Sequence, residues 1–271
     1  MSIASKLSAG LFAAACVCSL TAAEIVSIKE PADFMTPKRV FKDGESVLFK
    51  GNGTLLSAQK LVLDPAKKYQ ISGEFRLKDG QEGAISGNIY FGYVPYDANN
   101  KEIHPFSLIV VPKSATVIAK EAKKGDKVVY VKDASKWNMK TPYGGIAFNV
   151  KDDYSDLPNR DVIGVRKGNI KQNGDVWEIT LNKPLTKDIA EGTKVRQQMS
   201  GATYIYNSPT RKAKSDWGKR TGVISGRIAK TGNPSNQLWP GTAYVRVMVL
   251  VSGGKPTDVL EMKNIKVEEV E

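Results

Sequence analysis

Apolar and polar residues alternate with a period of two along most of this chain, and the i, i+3, i+4 apolar pattern of an amphipathic helix is nearly absent. Alternation of this kind places successive side chains on opposite faces of a strand. In the run 69–78, Tyr69, Ile71, Phe75 and Leu77 form the apolar face, leaving Glu74 and Arg76 on the other. In 87–94, Ile89, Phe91 and Tyr93 turn inward and Tyr90 turns out. The longest run, 242–251, aligns Val245, Val247, Val249 and Val251 on one face. Tyr244, Arg246, Met248 and Leu250 share its other face, which is only half polar. Further strands are predicted at 46–50, 106–111, 127–131, 146–150, 162–166, 176–181, 194–199, 203–206, 222–228 and 260–268, separated by Gly, Pro, Asn and Asp. The best helix candidate, 186–191, is about one turn.

Strands this numerous and short predict an all-β protein, an antiparallel sandwich or barrel. Segments 24–115 and 200–271 share long alternating strands, whereas 116–199 is rich in Lys and Asp and has shorter ones. One sandwich interrupted by an inserted β module accounts for this economically, because loop closure becomes only slowly more costly as a loop lengthens.

Residues 1–23 change the picture of where the protein works. Lys6 precedes a small-residue apolar stretch from Leu7 to Leu20, and Thr21-Ala22-Ala23 before Glu24 suits a signal peptidase. This is the pattern of a secretory signal peptide, and the stretch is short for a membrane span. Export implies a secreted, periplasmic or cell-surface protein. Cys16 and Cys18 are the only cysteines and lie within the leader, so the mature chain forms no disulfide. The full chain of 271 residues carries 40 basic and 28 acidic residues, net +12. Cleavage removes Lys6 and no acid, leaving 39 basic and 28 acidic residues, or +11 over 248 residues.

Composition also narrows the chemistry. His104 is the single histidine, and it sits beside Pro105 with no Gly-x-Ser-x-Gly element anywhere, so a serine-hydrolase triad is not expected. Zinc sites need several His or Cys ligands, which are missing. Asp152, Asp153, Asp156 and Asp161 cluster in a polar, proline-containing stretch. Such a cluster reads as a solvated turn or as a structural calcium loop rather than as a catalytic carboxylate pair; no other cofactor is expected. Nucleic acid is not an expected partner, because export argues against it and no recognition helix or aromatic RNA-binding strand is visible. The densest basic run is 211–220, with Arg211, Lys212, Lys214, Lys219 and Arg220 against one acid, Asp216, and with Trp217 inside it. A field of this sign attracts polyanions.

The outer parts carry a resemblance. Leu63-Asp-Pro-Ala-Lys-Lys-Tyr-Gln-Ile-Ser-Gly-Glu-Phe-Arg76, Tyr90-Phe-Gly-Tyr-Val-Pro-Tyr-Asp97, Trp239-Pro-Gly-Thr-Ala-Tyr-Val-Arg-Val247 and Val259-Leu-Glu-Met-Lys-Asn-Ile-Lys-Val267 resemble the cellulase-type carbohydrate-binding modules, jelly rolls of the galactose-binding-like class. The resemblance implies a sandwich whose last strand closes beside the N-terminal one. Segment 25–50 departs from that pattern, lacking the family's Asn-Leu opening strand and Gly-Trp pair. The middle part is similar to a small β module of phage-tail and bacterial surface proteins. Its marks are Lys124-Gly-Asp-Lys-Val-Val-Tyr-Val-Lys-Asp-Ala-Ser135, Trp137, Leu181-Asn-Lys-Pro-Leu185 and Ala190-Glu-Gly-Thr-Lys-Val195.

Together these features predict a non-catalytic, exported carbohydrate-binding protein for anionic polysaccharide. The alternation places Glu74, Arg76, Tyr90, Tyr244 and Arg246 on one outer sheet face, where aromatic rings stack against sugar CH groups and arginine pairs two-pronged with carboxylate or sulfate. Trp217 and Trp239 are the next candidates, on loops. The same Tyr–Arg and Glu–Arg pairs also stabilise a plain solvated face. The alternative is a structural or adhesive surface protein held to an anionic cell envelope by its charge.

Overall fold

The structure, a computed structural model, describes residues 23–78, 83, 85–201 and 205–271. The predicted leader, with Cys16 and Cys18, lies outside the described residues except for Ala23, as do positions 203–204 of the strand expected at 203–206.

The protein is an antiparallel β-sandwich carrying a further sheet. Its strands, in chain order, are β1 (Glu24–Ile28), β2 (Val40–Asp43), β3 (Ser46–Lys50), β4 (Gly53–Leu56), β5 (Lys68–Leu77), β6 (Asn88–Tyr96), β7 (Ile109–Val110), β8 (Thr116–Val117) and β9 (Val128–Val131). There follow β10 (Gly144–Phe148), β11 (Val162–Asn173), β12 (Val176–Leu181), β13 (Lys194–Met199), β14 (Ile205–Tyr206), β15 (Gly218–Ser225), β16 (Tyr244–Ser252) and β17 (Val259–Val270). One sandwich layer has the order β15-β5-β17-β3-β2, with β1 also on β17; the other is β14-β6-β16-β4. The last strand therefore does lie beside the first.

The two layers meet through the residues that alternation turns inward. Ile71, Phe75 and Leu77 of β5 share one buried cluster with Ile89, Phe91 and Tyr93 of β6 and with the four valines of β16. Phe75 and Phe91 touch edge to face with centroids 5.1 Å apart. Burying both inner faces removes a continuous apolar surface from water, the main favourable contribution to the fold.

Strands β7 to β13 make a separate seven-stranded sheet. It has its own buried cluster, which includes Trp137, Phe148, Ile146, Val129 and Leu181. The pairing of Ile109 with Met199 and of Val110 with Gln198 brings the ends of this segment side by side, and extends its sheet outside the border expected at 116. The stretch 106–111 is accordingly not one strand. Pro105–Ser107 is a 3-10 turn, because Pro105 starts it and Leu108 N–H closes it on the Pro105 carbonyl, and β7 follows. No helix forms at 186–191, where Ile189 instead makes a bridge with Ala122. The segment is held against the sandwich by Arg160, whose guanidinium lies 2.5 Å from Asp97, and by Asn159 N–H donating to the Ser107 carbonyl. Leu157 adds its side chain to the sandwich core.

Candidate functional site

The expected single binding face is divided by the layering. Glu74 and Arg76 lie on β5, in the six-stranded sheet, whereas Tyr90, Tyr244 and Arg246 lie on β6 and β16 in the opposite layer. Both sets point outward, but from opposite sides of the sandwich.

On the four-stranded side, Tyr244 and Arg246 are 8 % exposed and do not form an open face. Tyr244 stacks on Tyr96 with a centroid distance of 5.0 Å and donates its hydroxyl to Asn100 at 3.1 Å. The Arg246 guanidinium donates to the Ser57 carbonyl at 2.6 Å and to that of Ala58. Chain segments near 57–60 and 100 thus cover this end of the face. Tyr90 remains half-buried, packed against Tyr206 at 4.7 Å. Trp239 is also not a loop ligand: it is 1 % exposed in the sandwich core, with its indole N–H on the Pro234 carbonyl at 3.1 Å.

On the six-stranded side the structure assembles three of the expected residues. The register sets Gly218 opposite Phe75 and Glu261 opposite Arg76, so Arg76 lies between Trp217 and Glu261 on the outer face. Arg76 Nε donates to Glu261 Oε2 at 2.8 Å while its guanidinium lies 4.6 Å from the Trp217 ring centroid. Lys263 lies over the same ring at 4.4 Å and within 3.9 Å of Glu74. Glu74 also accepts from Asn264 Nδ2 at 3.1 Å. Glu74 and Arg76 therefore brace the half-buried Trp217 rather than reach freely into solvent.

Beside this tryptophan lies an open cleft of about 280 Å³, lined by Phe75 and by residues of 211–220. Arg211, Lys212, Lys214 and Lys219 are exposed, and among the described residues no carboxylate pairs with them. Arg220 is buried where the two layers meet at their edge. Its guanidinium donates to the carbonyls of Ile89 at 2.7 Å and Arg211 at 2.6 Å, and it lies 5.4 Å from the Phe75 ring centroid. Burial, and then the charge of Arg211, push its pKa down to about 10, so it remains a cation at neutral pH. Among the described residues Asp216 is the one acidic side chain lining the cleft. The basic density of 211–220 was visible in the sequence; the cleft, and the convergence of Trp217 with Arg76, needed the β15–β5 register.

The four clustered aspartates do not converge. Asp152 pairs with Lys194 at 2.6 Å, Asp156 with Arg196 at 2.6 Å and Asp161 with Lys187 at 2.7 Å, and Asp153 accepts from Ser155 N–H at 3.0 Å. Among the described residues no group of three metal-ligating side chains comes together.

No family model matches the sequence, and no curated protein matches it. Among solved structures, the CBM22-1 xylan-binding domain from Paenibacillus barcinonensis Xyn10C is similar at 8 % identity and a TM-score of 0.31, covering 85 % of this chain and 76 % of that one.

Proposed function

We propose that this is an exported, non-catalytic carbohydrate-binding protein that takes an anionic polysaccharide in the basic cleft beside Trp217. The observation that carries this reading is the cleft itself, where four exposed basic side chains and, among the described residues, a single acid lie beside a half-buried aromatic ring. Uronate or sulfate groups pair with exposed lysines and arginine, and the indole face offers a stacking surface to a sugar ring. The net charge of +11 on the leader-free chain adds long-range attraction and supports association with an anionic cell envelope. Among the described residues one aspartate lines the cleft, whereas glycoside hydrolysis ordinarily uses two carboxyl groups.

The test is retention on heparin and polygalacturonate matrices against neutral agarose. Exchanging Lys212, Lys214 and Lys219 for Gln should advance elution on a salt gradient more than the charge-matched exchange of Lys132, Lys167 and Lys171, which lie exposed on or beside the seven-stranded sheet. Equal effects of the two triple variants would reduce the interaction to net charge and defeat the cleft assignment.

A further inference from the structure

A second cleft, of about 460 Å³, opens between the sandwich and the seven-stranded sheet. One wall is the Pro105–Ser107 turn with His104; the other comes from the Pro142–Tyr143 corner, Gly164 on β11, Asn182 after β12 and Ser200 after β13. The volume lies within the range of small-molecule clefts, which favour such boundaries between packed units.

The lining differs in kind from the basic cleft. It contains no lysine, arginine, aspartate or glutamate among the described residues. Tyr143 is 65 % exposed and stands beside Pro142 at the mouth. Phe106 supplies a second aromatic surface. Asn182 and Ser200 supply neutral donors and acceptors, and His104 lies at the wall with its Nε2 3.8 Å from Glu102. Two glycines shape the wall. A Cβ at Gly145 would collide with the Phe106 ring, and one at Gly164 would lie 2.7 Å from Asn182 Nδ2. Side chains at these two positions would displace Phe106 and Asn182 from the places they now hold.

We infer that this cleft is a second binding site, taking one or two rings of a neutral sugar chain. With no lysine or arginine among its described lining residues, this wall offers a carboxylate or sulfate no two-pronged cationic partner to replace the hydration it would lose on entering. A pyranose presents what the lining complements: an apolar CH face for Tyr143, and hydroxyls that both donate and accept for the Asn182 amide. This site is independent of the basic cleft, and the protein would engage a mixed polysaccharide at two places, gaining avidity where one chain reaches both.

The experiment is calorimetric titration of the full mature protein with cellohexaose, xylohexaose and mannohexaose. At least one should bind, and Tyr143→Ala and Asn182→Ala should each weaken it roughly tenfold or more. Tyr143→Phe, which keeps the ring, should stay close to the parent, and Trp217→Ala should leave this affinity unchanged. Melting temperatures establish that each variant is folded, as expected for exposed positions. The inference is overturned if none of the three oligosaccharides binds at millimolar concentration, if Tyr143→Ala and Asn182→Ala bind as the parent does, or if Trp217→Ala abolishes binding as well. Heparin retention of Tyr143→Ala, expected to be unchanged, reads the polyanion site separately.

Discussion

Replacing Arg246 by methionine should destabilise the sandwich although the residue sits on an outer sheet face. Methionine keeps much of the aliphatic stem and removes the charge and the donors. Ser57 is fully buried, so its carbonyl would lose the guanidinium donor now at 2.6 Å. A hydrogen bond from a charged group contributes about 1.5–3 kcal/mol. The cation also lies 5.9 Å from the Tyr96 centroid and 5.8 Å from that of Tyr244, contacts that together add about 1 kcal/mol. Against this, the guanidinium no longer has to be held out of water, which returns part of the loss. The net expectation is about 2 kcal/mol, a fall in melting temperature of about 4–8 °C for a chain of this size. Arg246→Ala should cost more, because the stem packing goes too. Val247→Ala, one residue on and facing the core, should cost on the order of 1–3 kcal/mol by opening a cavity. Circular dichroism and calorimetry on the three variants measure these differences. An Arg246→Met variant within about 0.5 kcal/mol of the parent, the usual range for exposed positions, would show that the bonds to the Ser57 and Ala58 carbonyls add no net stability.

Acid should weaken the fold partly through Asp258. Burial works to raise its pKa, but hydrogen bonds from Ser86 Oγ and from the Lys255 and Ser86 N–H groups outweigh it, so the carboxyl lies below the ordinary 3.8. A carboxylate depressed in the folded state stabilises above its unfolded pKa and loses that contribution as pH falls. Asp258→Asn should therefore lower the melting temperature clearly at pH 6 and less at pH 3; a gap constant with pH would contradict the assignment. We further propose that the seven-stranded sheet is an autonomous insertion. Exchanging residues 111–197 for a short Gly/Ser linker, across the Val110–Gln198 pairing, should leave a sandwich that melts cooperatively at a lower temperature, since Leu157 leaves its core. A remainder without a cooperative transition would show that the segment is part of one folding unit.

Local alternation was enough to read most strands and their inward faces, because the side-chain period of a strand is two wherever the strand goes. The valines of β16, the Ile71-Phe75-Leu77 set and the Ile89-Phe91-Tyr93 set all enter the core as their spacing implies. The basic run 211–220 was equally legible, being a property of composition and order alone. Which layer each strand joins was not legible, because pairing partners are distant in the chain. Gly218 opposes Phe75 across more than a hundred residues, and only that register carries Trp217 to Arg76. Nor does alternation report what covers an outer face. Tyr244 and Arg246 have the period of solvent-facing residues, yet Ser57, Ala58 and Asn100, from other parts of the chain, take up their polar groups and shut out water. Trp239 follows the same logic in reverse: a loop position in sequence becomes a core position because the two layers close over it. Periodicity is a local property of the backbone, whereas exposure is decided by the whole packed chain.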